Sequence, residues 1–572
     1  MKRLFPITLL TCVSVFIISL TNGQVIRSAQ LLTPEPGKYE KAEWEIRLSA
    51  NYLNPYDSAD IALEMVLRAP SGKTIILPCY YEAGNTDQSI WKARFAPRET
   101  GRYNYSFRLI NKQKVVTTKP AFFQAKPSGK DGFLHTGNLW TFRFDSGKPF
   151  RGIGENVAWE GRVHEDPKNS FEYFLPRLAR GGGNFFRTIS VAWNLPMEQQ
   201  IVETKRRLNK RYSNTNAYYH PQGLARMDTL LNMADSLGLY CMLTLSWHGE
   251  LRQIDHWSIY PYNTAQGGPA ATPTEFFTHE EARRRFRNRL RYIIARWGYS
   301  TRLAMLELFN EIDNASYAVF KDAGGSSTDS IVIPHRYITE WHAAMGRYLR
   351  SIDPYQHIVS TSISHREIEG LFQQGEMDVN IEHIYKRTDA IPAAINHYTT
   401  EYKKPFVVGE YGFRWEDAKT IYTQESIIDY KKGLWYGLFN PTPVLPMTWW
   451  WEFFDQHQLM NYLTSVRAIN DRMLRAGGGS FKQVSVTGSG LYTAGLQCGN
   501  TYFVHVLNKD STDTKAMLSI PVGRHSNYQV KLFDPETGNY SKIPSVLKDK
   551  VVVIDETLFR TGTHSILIIE PK

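Results

Sequence analysis

LELFNEID, residues 306–313, reads as a short apolar strand that ends on Asn310, Glu311 and Asp313. Polar groups buried at a strand end cost free energy unless they are paired or put to use. The stretch therefore marks a strand that delivers chemistry to its own mouth. Alternation places Met305, Glu307, Phe309 and Glu311 on one face. Seven other segments have the same texture: RGIGE near Gly152, NFFRT near Arg187, CMLTLSWH near His248, HIVSTS near Ser360, VNIEHIY near His383, FVVGEYG near Glu410 and MTWWW near Trp450. Amphipathic runs separate them, among them ARMDTLLNMADSLG, which stops at Gly238. Eight strands alternating with helices predict a (β/α)8 TIM barrel with long loops over residues 127–475, entered through the linker PSGKDG.

Outward from the barrel the pattern changes. Residues 24–126 carry short alternating runs, such as EWEIRLSANY and YNYSFRLI, broken by the turns APSGK and PRETG; this predicts an antiparallel β-sandwich. PSGKT is a hairpin turn rather than a phosphate loop, because Leu67 stands where the leading glycine of that motif belongs. After RAGGGS, alternation returns in TYFVHVLN, YQVKLFDPETGNY, KVVVID and SILIIEP, and predicts a second sandwich over residues 484–572. The expected fold class is multidomain α/β, with antiparallel sandwiches flanking a barrel.

Residues 1–23 have Lys2 and Arg3, an apolar run and the short-side-chain exit Thr21-Asn22-Gly23, the layout of a secretory signal. The expected location is periplasmic or extracellular, and the chain is not expected to be an integral membrane protein. Cys12 lies in that signal; Cys79, Cys241 and Cys498 are scattered, with no disulfide framework and no CxxC, HExxH or histidine-rich metal motif. The formal net charge of +11 suits solubility or acidic glycans. The arginines of THEEARRRFRNRLRYIIARWG do not make a nucleic-acid surface, since no groove-reading motif accompanies them. Phe286, Leu290, Ile293, Ile294 and Trp297 form the inner stripe, Thr278 and Glu281 a capping box, and the arginines an outer solvated face.

In a barrel of this type the reacting groups come from the C-terminal strand ends. Glu311 and Glu410 both sit there, on separate strands, so they can flank one bond. Cleavage of a glycosidic bond needs that pair. One carboxylic acid protonates the leaving oxygen while the other carboxylate attacks, at about 5–5.5 Å separation, or activates water across roughly 6.5–9.5 Å.

NFFRT, SWHG, LFNEID, EHIY, VVGEYG and MTWWW, in this order, resemble the retaining glycoside hydrolases of clan A, nearest to family 5 cellulase-like enzymes. The resemblance implies a β-glycosidase without metal or cofactor, acting on an oligo- or polysaccharide. It makes Glu311 the general acid/base, Glu410 the nucleophile and Asn310 the contact to the sugar 2-hydroxyl. Arg187 would keep Glu410 ionised and lower its pKa, Tyr385 would orient it, and His248 and His383 would contact sugar. Among Trp449, Trp450 and Trp451, Trp450 is the favoured stacking residue. The flanking sandwiches resemble modules of exported bacterial glycan-degrading enzymes, and YQVKLFDPETGNY resembles a module sometimes labelled collagen-binding, for which a scaffold role is the reading here.

Glu307 is expected to be a buried structural carboxylate paired with a barrel arginine. His256, Trp257, Tyr260 and Tyr262 either wall the cleft or anchor their loop, and Glu155, Asn156 and Trp159 stand between substrate contact and structure. A non-catalytic glycan-binding or adhesion protein is the competing reading, and it has no need of two carboxylates at strand mouths. Oligomeric state has no signature in the chain.

Overall fold

A computed structural model describes residues 24–112, 114–160, 170–202, 211–252, 256–321, 327–415, 422–488, 490–523 and 527–572. Residues 1–23, with the signal and Cys12, lie outside them. The first part is two antiparallel sheets packed face to face. One has four strands, Val25–Leu31, Ala42–Ser49, Ser89–Phe95 and Tyr80–Gly84; the other is built on Ile61–Arg68 and Gly101–Asn111. Alternate residues point inward, so Trp44, Ile46, Leu63, Met65, Phe107 and Phe123 meet in one core.

Seven parallel strands follow, in sequence order around the sheet: β1 (Gly154–Asn156), β2 (Phe185–Ile189), β3 (Tyr240–Thr244), β4 (Leu303–Glu307), β5 (Ile358–Ile363), β6 (Val379–Tyr385) and β7 (Phe406–Gly412). Residues 443–449 form the eighth stave. Gly152 and Asn156 donate to the carbonyls of Pro443 and Thr448, and Tyr411 donates to that of Met447, so the stave joins β7 to the start of β1. The ring interior is filled by Phe185, Met242, Met305, Ile358, Ile381, Val407, Val444 and Met447, and the small meander around Phe142 and Phe150 packs onto this cluster. Seven of the eight strands expected from the sequence form, and the eighth position is held by residues 443–449 through isolated bridges, with Trp450 already capping a helix.

The helix Glu280–Trp297 buries the expected stripe, but two expectations fail there. Thr278 ends the preceding helix, Pro273–Thr278, with its hydroxyl donating to the Thr274 carbonyl; His279 is the N-cap, so no capping box forms. The arginine face is not solvated: Arg284 pairs with Asp57, Arg291 with Glu64 at 3.3 Å and Arg296 with Glu82 at 3.1 Å, all on the first sandwich. The acidic partners lie more than 200 residues upstream.

The chain ends in a six-stranded and a three-stranded antiparallel sheet around Val504, Leu518, Ile554 and Leu567. They lie against the barrel helices Thr423–Leu438 and Leu463–Gly477 through Trp435, Tyr436 and Phe439 on one side and Tyr492, His505 and His564 on the other. Cys79, Cys241 and Cys498 are free and buried. Among the described residues no helix is long and apolar enough to cross a membrane.

Candidate active site

Arg187, in the middle of β2, has no exposed surface. Its Nε and Nη2 donate to the two oxygens of Glu307 on β4 at 2.7 and 3.1 Å. Nη1 donates to Asn156 Oδ1 at 3.0 Å and to Glu410 Oε1 at 2.8 Å, and Nη2 also reaches Asn310 Oδ1 at 2.5 Å. Burial works against the guanidinium charge, but Glu307 and Glu410 hold its pKa above the ordinary arginine value. Glu307 is thus the buried partner of a barrel arginine, as its place on the strand predicts, and Thr244 donates to it as well.

Glu410, on β7, takes a second hydrogen bond from the Tyr385 hydroxyl at 2.6 Å, at Oε2. Glu311 follows β4 in a left-handed backbone conformation, φ 48° and ψ 53°, with its N–H on Ser362 Oγ of β5 at 2.9 Å. A residue with a side chain adopts that region only when its surroundings hold it there. The turn swings the Glu311 carboxyl toward the barrel axis, where Asn314 Nδ2 donates to Oε2 at 2.8 Å and His383 Nδ1 lies 2.8 Å from Oε1. The same His383 nitrogen is 3.4 Å from Glu410 Oε2. A carboxylate oxygen of Glu311 therefore comes within 4.8 Å of one of Glu410, with His383 between them. His248 Nδ1 sits 3.4 Å from Glu311 Oε2 and 3.3 Å from Asn310 Nδ2.

Both carboxyls titrate above their ordinary value. Burial raises Glu410 against the lowering pull of His383 and Arg187, and burial raises Glu311 against that of His248. Arg187 does pull Glu410 down, as the sequence reading expects, but burial outweighs that pull. Burial likewise lowers His383 and His248, against the opposing pull of Glu410 and Glu311 respectively.

Arg187, His248, Asn310, Glu311, His383, Tyr385 and Glu410 converge; Trp450 stands apart. The Trp450 indole N–H donates to the Arg414 carbonyl at 2.9 Å. Its neighbour Trp449, at the end of the eighth stave, is half-buried. Trp449 meets Trp159 edge-on at 5.1 Å, Trp159 meets Trp193 at 5.7 Å and Trp193 meets Trp247 at 5.4 Å, a row of indoles along the mouth from the eighth stave to the loop after β3. His383 has no exposed side-chain surface and bridges the carboxyls instead of facing open cleft. Trp257, Tyr260 and Tyr262 are buried and anchor their loop. Asn156 is consumed by Arg187 and the carbonyls of Gly409, Met447 and Thr448, Trp159 is buried, and Glu155 points away from the mouth.

Sequence reasoning missed Asn314, Ser362 and the indoles of Trp193 and Trp247. For Asn314 a signal existed in NEIDN: an amide three residues beyond Glu311 is within reach once a helical turn follows.

A family model described as a domain of unknown function, DUF5060, matches residues 35–109. No curated protein matches the sequence. Among solved structures, a Bacteroides vulgatus protein described as a candidate glycoside hydrolase has a TM-score of 0.63 at 14% identity, covering 94% of this chain and 99% of its own. A glycoside hydrolase family 5 protein from the same species has a TM-score of 0.51 at 12% identity, covering 77% of this chain and 93% of its own. The chain therefore shares the architecture of solved glycoside hydrolases along most of its length.

Proposed function

We propose that the protein is a retaining β-glycosidase that cleaves an oligo- or polysaccharide by double displacement. The observation that carries this reading is that carboxylate oxygens of Glu311 and Glu410, from the ends of β4 and β7, approach to within 4.8 Å, which is nearer the roughly 5–5.5 Å spacing at which one carboxylate attacks than the roughly 6.5–9.5 Å of a pair that works through water. A guanidinium and a phenol donate to Glu410, whereas a neutral amide donates to Glu311. These donors favour the ionised form at Glu410 and leave Glu311 the better acid.

Glu410 attacks the anomeric carbon while Glu311 passes its proton to the leaving oxygen, giving a glycosyl ester. Glu311, now a carboxylate, takes a proton from water as that water displaces Glu410 from the anomeric carbon. In this reading Asn310, beside both Arg187 and His248, bonds the sugar 2-hydroxyl, and His248 and Trp449 line the sugar's path. We also infer export, with residues 1–23 removed; protein recovered from the envelope or medium should begin at Gln24.

The test pairs wild type with Glu410→Ala on aryl β-glycosides and polysaccharides, with azide added to the mutant. Turnover by wild type, its loss in the mutant and rescue as an α-glycosyl azide are expected. Glycan binding without any turnover would move the binding-protein reading ahead. The assay is run with and without a chelator, because Glu311, His383 and Glu410 also present three ligand atoms at the spacing of a cation site. Loss of turnover on chelation would overturn the metal-free mechanism.

A further inference from the structure

Of the fourteen tryptophans, thirteen are buried or half-buried, and Trp415 is 60% exposed. Indole is among the largest apolar surfaces a side chain can offer, and covering an aromatic ring stabilises by about 1.5–3 kcal/mol. Exposure alone decides nothing, since single apolar side chains are often exposed; what matters is where this ring stands.

Trp415 follows Glu410 by five residues, just past the end of β7. Its neighbour Arg414 is held at both ends: the carbonyl accepts from Trp450 Nε1, and the guanidinium stacks 4.3 Å from the Tyr422 ring. Lys386, next to the Tyr385 that holds Glu410, has its ammonium 5.6 Å from the Trp415 ring centre. The ring thus stands on the β6–β7 rim, while the indoles of Trp449, Trp159, Trp193 and Trp247 line the rim from the eighth stave to β3.

We propose that Trp415 is a stacking platform for a sugar unit beyond the one being cleaved, so that the substrate is a chain crossing the β6–β7 rim and not a single terminal sugar. The proposal rests on the glycosidase reading. A pyranose presents an apolar C–H face that fits an indole, and a platform outside the reacting pocket gains contact only when the substrate is long enough to reach it.

The experiment measures kcat/KM for aryl glycosides of one to six sugar units, of whichever sugar is cleaved, with wild type, Trp415→Ala and Trp415→Phe. In wild type kcat/KM should rise with length. Trp415→Ala should flatten that rise, losing about tenfold on the longest member, about 1.4 kcal/mol, mostly in KM, and Trp415→Phe should restore part of it. An equal fold-loss at every length would mean a structural role and would overturn the proposal, as would a wild type indifferent to length. Retardation of wild type and Trp415→Ala in polysaccharide-containing native gels reads the platform without turnover. Retardation of wild type alone supports it even if no glycoside is cleaved, in which case only the hydrolase reading fails; equal migration overturns it.

Discussion

The guanidinium of Arg187 matches its five N–H donors to five acceptor contacts on Glu307, Glu410, Asn156 and Asn310. A lysine cannot reproduce that fork. Arg187→Lys leaves buried carboxylates short of partners, a fault that costs about 3–5 kcal/mol. Urea unfolding should show that loss together with a fall in kcat; an unchanged midpoint would contradict the central role given to the fork. Asn314 acts more locally, since its amide favours the ionised form of Glu311. Removing it in Asn314→Ala raises the Glu311 pKa further, so the acid persists to higher pH and the alkaline limb of kcat/KM moves up. A lost hydrogen bond of about 0.5–1.5 kcal/mol corresponds to a shift of roughly 0.4–1 pH unit; a limb that stays in place would count against Asn314 as a positioning residue. Both glutamates were legible because each closes an apolar strand-like run at its C-terminal end, and Arg187 and Tyr385 because their motifs resemble those of a known family. Asn314 was missed although NEIDN carries its spacing, because its reach depends on the left-handed turn at Glu311, which no residue type announces.

On β1, adjacent residues divide the two faces of the barrel wall. Asn156 looks in and is fully bonded, whereas Glu155 looks out into packed core, with neither oxygen paired. Burial pushes its pKa well above the ordinary value, and Asp455 and Glu452 of the helix Trp451–Gln456 add to the rise. Tyr411 and Tyr430 also face it. Because the folded pKa is raised, the stability tied to the protonated form is fully present below the unfolded value near 4.5 and is lost as pH rises through the folded one. Glu155→Gln should therefore match wild type in thermal unfolding near pH 4 and become progressively more stable than it toward alkaline pH. Parallel Tm curves would show that Glu155 has a partner after all. The helix Glu280–Trp297 teaches the complementary lesson about elements. Its inner stripe was legible from period alone, but the fate of its arginines was not, since Asp57, Glu64 and Glu82 reach them only through the packing of a distant sheet.

At the scale of the whole molecule, the order of barrel and flanking sheets follows from where alternation gives way to helical period, so the architecture could be read before any coordinates. How the last sheets attach could not, because that junction is made by residues scattered over one helix and three strands. Its centre is a pair of buried histidines: His505 Nε2 lies 2.9 Å from His564 Nδ1, among Trp435, Tyr436, Phe439 and Tyr492. Burial, with Lys509 nearby, drives the His505 pKa down to about 3. Burial, His505, Lys431 and Lys432 hold His564 well below its usual value. Asp389 does not offset this locally, being bound to Lys432, Lys509 and Tyr436. A base with a depressed folded pKa contributes stability that is present above its unfolded value near 6.5 and is lost as pH falls toward the folded one. Each histidine then weakens the junction by up to about 1.4 kcal/mol per pH unit across that window. Limited proteolysis between the proposed barrel and terminal sandwich, at residues 476–483, should accelerate as wild type is taken from pH 7 to pH 5. The double variant His505→Phe with His564→Leu, which keeps an apolar junction and removes both titrating rings, should show a much flatter response. Equal acceleration in both proteins would place the acid sensitivity elsewhere and leave the histidine pair a neutral piece of packing.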